Sequence, residues 1–232
     1  MELNGKVIVV TGAASGLGKA LAIKLSEVGG KLALIDRDEQ KLNELKQLEG
    51  AEVFVCDVSD HEQVQTTFKL ILEKFYSIDV LVNNAGVWYE GLVENHPDKA
   101  VKDLFGSNAI GVINCTQQVL PLMRKANTGQ ILNTVSVGGL MGEPGWPVYV
   151  STKHAIRGFT DSTIASLQGS NVKVMAIYPG GIDTNLYNAA GFPRNANESW
   201  MMKKEDVADV MVFMLTRPED ILMDHVEVKK IF

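Results

Sequence analysis

Tyr149 and Lys153 stand four residues apart, and Ser136 lies thirteen residues before the tyrosine. On a helix that spacing puts both side chains on one face, so a phenol and an ammonium can meet at one reacting centre. A lysine cation beside a phenol favours the phenolate, and so lowers a tyrosine pKa that starts near ~10. A tyrosine lowered in this way exchanges protons at neutral pH. The pair therefore points to acid–base chemistry on a hydroxyl or a carbonyl group. Tyr-x-x-x-Lys also arises by chance in many helices, and a serine at a strand end can simply bond backbone. The weight of the three residues comes from what surrounds them.

A second constellation is Thr11-Gly12-Ala13-Ala14-Ser15-Gly16-Leu17-Gly18, between a strand-like and a helix-like segment. Glycines there let the backbone turn tightly and approach a pyrophosphate, whose charge then sits at the start of the helix. The plainer alternative is a glycine-rich turn. Asp36 follows twenty positions after Gly16. A carboxylate at that place accepts hydrogen bonds from ribose hydroxyls and repels a 2′-phosphate. The competing reading makes Asp36 the cap of a helix beginning near Asp38. Arg37 comes next and could attract a phosphate, which keeps NADP(H) beside NAD(H).

The elements that position these residues are legible as an alternation. Short apolar runs at 6–11, 31–36, 52–56, 79–83, 130–135 and 172–178 read as strands, with a last one near 225–228. Their near-continuous Val/Ile/Leu character fits strands covered on both faces. Between them, Leu17, Leu21, Leu25 and Val28 form a helical stripe, as do Val64, Phe68, Ile71 and Phe75. A third stripe runs through Val101, Leu104, Asn108, Val112, Cys115 and Val119, and carries a polar Asn108. The segments 61–76 and 203–216 read as core-facing helices. Strand–helix alternation of this kind predicts an α/β fold: a doubly wound, Rossmann-type parallel sheet of about seven strands with helices on both faces. Such a sheet places its ligand outside the carboxyl ends of the strands. The loops after Val10, Ile35, Val55, Val82, Val135 and Tyr178 are then the ones that matter.

Composition narrows the class. The chain has 232 residues, of which 46% are hydrophobic and 22% charged, with a net charge of −6. That length suits one domain spanning 1–232. The negative balance argues against a nucleic-acid or anionic-membrane partner. Cys56 and Cys115 have no metal or redox spacing and read as reduced core residues, and no metal site is expected. No apolar run approaches the ~18 residues that span a bilayer, and the first residues lack a secretory pattern. A cytoplasmic location is the expectation.

Taken together, Thr-Gly-x-x-x-Gly-x-Gly at 11–18, Asn83-Asn84-Ala85-Gly86, Ser136, Tyr149-x-x-x-Lys153 and Pro179-Gly180 resemble the short-chain dehydrogenase/reductase family. The resemblance covers nearly the whole chain, in the family's order and spacing. It implies that Tyr149 is proton donor and acceptor, and that Lys153 holds the nicotinamide ribose and lowers the Tyr149 pKa. It further implies that Ser136 bonds the substrate oxygen, and that Asn108 holds a water linking Lys153 to solvent. Ser15 and Leu17 fall in the phosphate loop with Gly12, Gly16 and Gly18. Asp57 and Val58 match the family's adenine contact. Asn84 and Gly86 line the cofactor, and Asn84 also steadies the sheet. After Pro179 and Gly180, Ile182 and Thr184 match the residues that hold the carboxamide. Asp36 and Arg37 face the adenosine ribose. The reaction implied is hydride transfer between a nicotinamide cofactor, NAD(H) favoured, and a secondary alcohol or ketone. NADP(H)-dependent carbonyl reduction is the alternative, and a non-catalytic dinucleotide sensor on the same fold is a third reading.

The substrate side offers Trp88, Leu140, Met141, Trp146 and Tyr187, with Val87, Tyr89, Leu186, Phe192 and Trp200 nearby. An apolar, aromatic lining predicts an uncharged, fairly hydrophobic substrate. The plainer reading has Trp88 and Trp146 packing neighbouring elements. Residues 185–202 are expected to form a substrate loop, with a mobile lid at 191–197. By resemblance, helices at 98–124 and 149–169 pair to form a homodimer or homotetramer.

Overall fold

The apolar runs form strands that are buried at the centre of the sheet and partly exposed at its edges. The computed structural model describes residues 2–231. Its strands are β1 (Val7–Thr11), β2 (Lys31–Asp36), β3 (Ala51–Val55), β4 (Val80–Asn83), β5 (Gly129–Thr134), β6 (Val172–Pro179), β7 (Ile182–Asp183), β8 (Met202–Lys203) and β9 (His225–Val228). Seven of them make one sheet in the order β3-β2-β1-β4-β5-β6-β9, and every pairing in it is parallel. The order turns back on itself between β1 and β4, so the loops after β1 and β4 face one another at the switch point. β7 and β8 form a separate parallel pair, which hydrophobic patterning did not announce.

The helices are α1 (Gly16–Glu27), α2 (Glu39–Asn43), α3 (His61–Phe75), α4 (Asp98–Phe105), α5 (Gly111–Ala126), α6 (Pro147–Ala165), α7 (Leu186–Ala189) and α8 (Lys204–Leu215). One core layer packs α1 and α8 on the sheet through Leu21, Leu25, Val207 and Met211. The opposite layer packs α3 and α5 through Val64, Phe68, Ile71, Cys115 and Val119. Both cysteines are buried and unbridged. The helix expected at 98–124 is not uniform: Gly106–Ile110 winds as a π-helical turn between α4 and α5, with Asn108 inside it. Such turns insert one residue and re-aim the side chains around them, and they recur at functional sites.

Buried polar residues tie α5 and α6 to the sheet. Asn83 Nδ2 donates to Asn133 Oδ1 (2.9 Å) and Thr116 Oγ1 (3.2 Å), and Asn133 Nδ2 donates to Thr160 Oγ1 (2.9 Å). This ladder links α5 to α6 across β4 and β5. Each unpaired member would cost about 1–3 kcal/mol, so the register of α6 is held.

Candidate active site

A cavity of about 730 Å³ runs along the carboxyl ends of the strands. All six predicted loops reach it, through Gly12, Asp36, Asp57, Asn84, Ser136 and Pro179. At one end the loop after β1 is drawn tight against the start of α1. A side chain on Gly18 would put its Cβ 2.0 Å from the Gly12 carbonyl oxygen and 2.6 Å from Asn84 Nδ2. Asn84 Nδ2 donates to Thr11 O (3.1 Å) and Gly12 O (3.3 Å), fastening this loop to β4. Thr11 Oγ1 accepts from the N–H groups of Asn84 and Ala85 (3.0 and 3.1 Å). Thr11 was not singled out from sequence, although it opens the glycine motif.

Ser15 caps α1 in extended backbone, yet its side chain makes no capping bond, and the first turn holds no acid. The leading amides are thus free of a protein anion, as an anion-binding helix start requires. Asp36 lines the same end. Its Oδ2 accepts from Ala14 N–H (2.9 Å) and its Oδ1 from Asp38 N–H (3.0 Å). The cap of α2 is Asp38, which accepts from Lys41 N–H (3.1 Å), so Asp36 is not that cap. Arg37 Nη1 lies 3.6 Å from Asp57 Oδ2. Asp57 is held below the usual carboxylate range: bonds from Ser59 and the nearby Arg37 charge outweigh burial, the largest single influence and an opposing one. A tight glycine turn and a helix start without a side-chain cap fit a dinucleotide, and Asp36, Asp38 and Asp57 line that end of the cavity.

At the other end lie Ser136, Tyr149 and Lys153. Ser136 sits at φ 142° and ψ 158°, a backbone region that a non-glycine residue enters at a cost of about 1–3 kcal/mol. Its Oγ accepts from Gly138 N–H (3.1 Å), which fixes the hydroxyl at the cavity wall. Tyr149 and Lys153 share the inner face of α6, and Lys153 Nζ stands 5.6 Å from the Tyr149 ring centroid. The ammonium donates to Thr134 O (3.1 Å). Asn108 grips the loop after β4: Val87 N–H donates to its Oδ1 (2.7 Å), and its Nδ2 donates to Val87 O (3.0 Å) and Thr152 Oγ1 (3.2 Å).

The expectation that Lys153 lowers the Tyr149 pKa is not met in this structure. Burial dominates and raises the phenol above its ordinary value, with only the Ser136 hydroxyl pulling it down. Burial also brings Lys153 from 10.5 down to about 8. Unfolded lysine keeps its proton to about 10.4. Between the two values the unfolded chain binds more protons, so stability rises with pH across that window. Below the folded pKa the protein carries the full cost of a buried ammonium. Lys153→Met is therefore expected to melt about 3–6 °C above the parent at neutral pH, part of the gain being offset by the lost bond to Thr134. That advantage should shrink as pH climbs from about 8 to 10.5. Calorimetry across this range checks it. An advantage that stays flat with pH would show that the ammonium is not desolvated.

Aromatic rings wall the end of the cavity that holds Tyr149. Trp88 packs on Tyr149 (ring centroids 4.4 Å apart), on Trp146 (4.5 Å) and on Tyr187 (5.1 Å). All four line the cavity. Leu140 and Met141 do not, contrary to expectation. They follow a short helical turn, Val137–Gly139, that carries the chain outward, and Met141 is half exposed. Gly86, Leu17, Val58, Gly180, Ile182 and Thr184 all border the cavity, as does Trp200.

Parallel doubly wound sheet, glycine loop at the switch point, and a Ser–Tyr–Lys group across from it define an NAD(P)-dependent oxidoreductase. The chain belongs to the short chain dehydrogenase family, whose model matches residues 6–195. It is 34% identical to a 3-oxoacyl-[acyl-carrier-protein] reductase of Thermotoga maritima, covering 92% of each chain. An alcohol dehydrogenase of the archaeon Thermococcus sibiricus, complexed with 5-hydroxy-NADP, superposes with a TM-score of 0.87 at 30% identity over 97% of each chain. A 3-ketoacyl-(acyl-carrier-protein) reductase of Brucella melitensis, complexed with NADH, gives a TM-score of 0.89 at 26% identity over 98% of each chain. No helix among the described residues is long and apolar enough to cross a membrane.

Proposed function

We propose that this chain interconverts an uncharged, apolar secondary alcohol and its ketone, with NAD(H) as the favoured cofactor. The observation that carries the reading is one continuous cavity with the glycine loop and Asp36 at one end and Ser136, Tyr149 and Lys153 at the other. The nicotinamide, when bound, supplies or accepts the hydride. The chain does the rest. Gly12, Ser15, Gly16, Leu17 and Gly18 hold the pyrophosphate, and Asp36 takes the adenosine ribose. Asp57 and Val58 flank the adenine, while Asn84 and Gly86 line the middle. Lys153 binds the nicotinamide ribose, and Pro179, Gly180, Ile182 and Thr184 receive the carboxamide side. Ser136 meets the charge that grows on the substrate oxygen, and Tyr149 delivers the proton. Asn108 positions the loop beside Lys153.

The raised phenol pKa bears on direction. Burial favours the neutral phenol, so Tyr149 carries the proton that ketone reduction needs. The aromatic wall of Trp88, Trp146 and Tyr187 supports an apolar substrate. Exposed Ile110 and Leu122 support assembly of two or four copies through α5 and α6. A cytoplasmic site of action belongs to the same reading.

The cofactor preference rests on charge. The Asp36 carboxylate would oppose a 2′-phosphate, and Arg37, the cation that would welcome one, faces Asp57. Titration with NADH and NADPH, read by nicotinamide fluorescence, tests it. NADH is expected to bind at least tenfold tighter, about 1.4 kcal/mol. Asp36→Ala should erase most of that gap. A parent that prefers NADPH would put Arg37 in command. Binding of neither would remove the glycine-loop assignment and the enzyme reading with it.

A further inference from the structure

Residues 184–201 leave the body of the protein and return at one place. Ile182 pairs with Met202 and Asp183 with Lys203, so the feet of the excursion are joined strand to strand. Trp200 seats its ring on Gly181, where a Cβ would come within 2.2 Å of it. The feet are therefore fixed. The crown is held differently, by contacts across the cavity to the loop after β4. Arg194 Nη2 donates to both carboxylate oxygens of Glu90, at 2.8 Å each. Beside that pair, Phe192 meets Tyr89 edge to face at 5.1 Å.

The ion pair connects to the reacting group by packing. The Arg194 guanidinium lies over the Tyr187 ring, 5.6 Å from its centroid. Its backbone N–H donates to Asn188 Oδ1 (2.8 Å), which fixes the turn after α7. Tyr187 packs on Trp88, and Trp88 on Tyr149. A partly exposed ion pair suits a contact that must open. Both ions regain water on separation, so the net cost of opening is about 0–1 kcal/mol. A purely apolar seal of the same area would resist opening far more.

We propose that the Glu90–Arg194 pair is a clasp that holds the crown of the 184–201 loop closed over the substrate end of the cavity. The two are positioning residues: neither meets the reacting atoms, and both act through Tyr187 and Trp88. The proposal rests on the reading of that end as the substrate site.

The test compares the parent with Glu90→Gln, Arg194→Gln and the double reversal Glu90→Arg with Arg194→Glu. Hydrogen exchange of the 186–199 segment is followed by mass spectrometry, which requires no substrate. In parallel, KM and kcat are measured for acetophenone as a probe ketone with NADH, and NADH affinity by fluorescence. Each single variant should exchange the segment up to about fivefold faster and raise KM a few-fold, with kcat and NADH affinity little changed. The double reversal should restore slow exchange and a low KM. Parent-like exchange in the single variants would overturn the clasp. So would loss of NADH binding, which would make the pair a support of the fold. If no protein reduced the ketone, the substrate-site reading would be at fault, and the exchange data would still decide the clasp.

Discussion

Replacing Tyr149 with phenylalanine is expected to cut ketone reduction by about a thousandfold while NADH affinity stays within about twofold. In the proposed mechanism the ring contributes packing and the hydroxyl contributes chemistry. Phenylalanine keeps the contact with Trp88, whose ring centroid lies 4.4 Å away. It loses the one acidic hydroxyl that both faces Ser136 and shares a helix face with Lys153. Ser136 cannot take over. Its hydroxyl is fixed on the Gly138 amide, and an alcohol surrenders a proton far less readily than a phenol. Lys153, brought to about 8, is a better acid, but its ammonium is engaged by Thr134 O. Stopped-flow measurement of NADH oxidation gives the rate, and fluorescence titration gives the affinity. A variant that turns over within about tenfold of the parent would show that the proton comes from elsewhere.

How far the site could be read from sequence depended on which force set each residue. The six strand-end loops were legible because buried parallel strands need continuous apolar runs, and the loops follow wherever those runs stop. Tyr149 and Lys153 were legible because helical spacing alone puts them together. The balance of their pKa values was not, since it turns on burial, which no local pattern encodes. Spacing put a cation near a phenol, but the structure desolvates both, and desolvation wins. Leu140 and Met141 looked like pocket residues by type, yet the turn at Val137–Gly139 directs them outward. Asn133 was hidden in plain view. A polar residue inside an apolar strand has no evident role until its cross-strand partner, Asn83, is seen. The Glu90–Arg194 pair joins residues 104 positions apart, and only folding brings them into one frame.

Gly18→Ala should have the second large effect, and it isolates the cofactor end from the chemistry. The added methyl would lie 2.0 Å from the Gly12 carbonyl oxygen and 2.6 Å from Asn84 Nδ2, and neither can yield cheaply. Gly12 O is backbone in the tightest part of the loop. Asn84 Nδ2 is already committed to Thr11 O and Gly12 O. Relief comes only by pushing the start of α1 away from β4, which moves the uncapped amides that would meet the pyrophosphate. Overpacking of this kind costs about 1–3 kcal/mol, and in a chain of this size the melting temperature should fall by about 4–8 °C. NADH affinity should drop on the order of a hundredfold, the loss of roughly two charge-assisted hydrogen bonds. Gly142→Ala is the matched control, because a Cβ there meets nothing within 4 Å. Calorimetry and NADH titration of both variants separate the possibilities. If Gly18→Ala bound NADH like the parent, the helix start would not be the phosphate site. If both variants lost stability equally, a general intolerance of side chains, and not the close approach at Gly12, would be responsible.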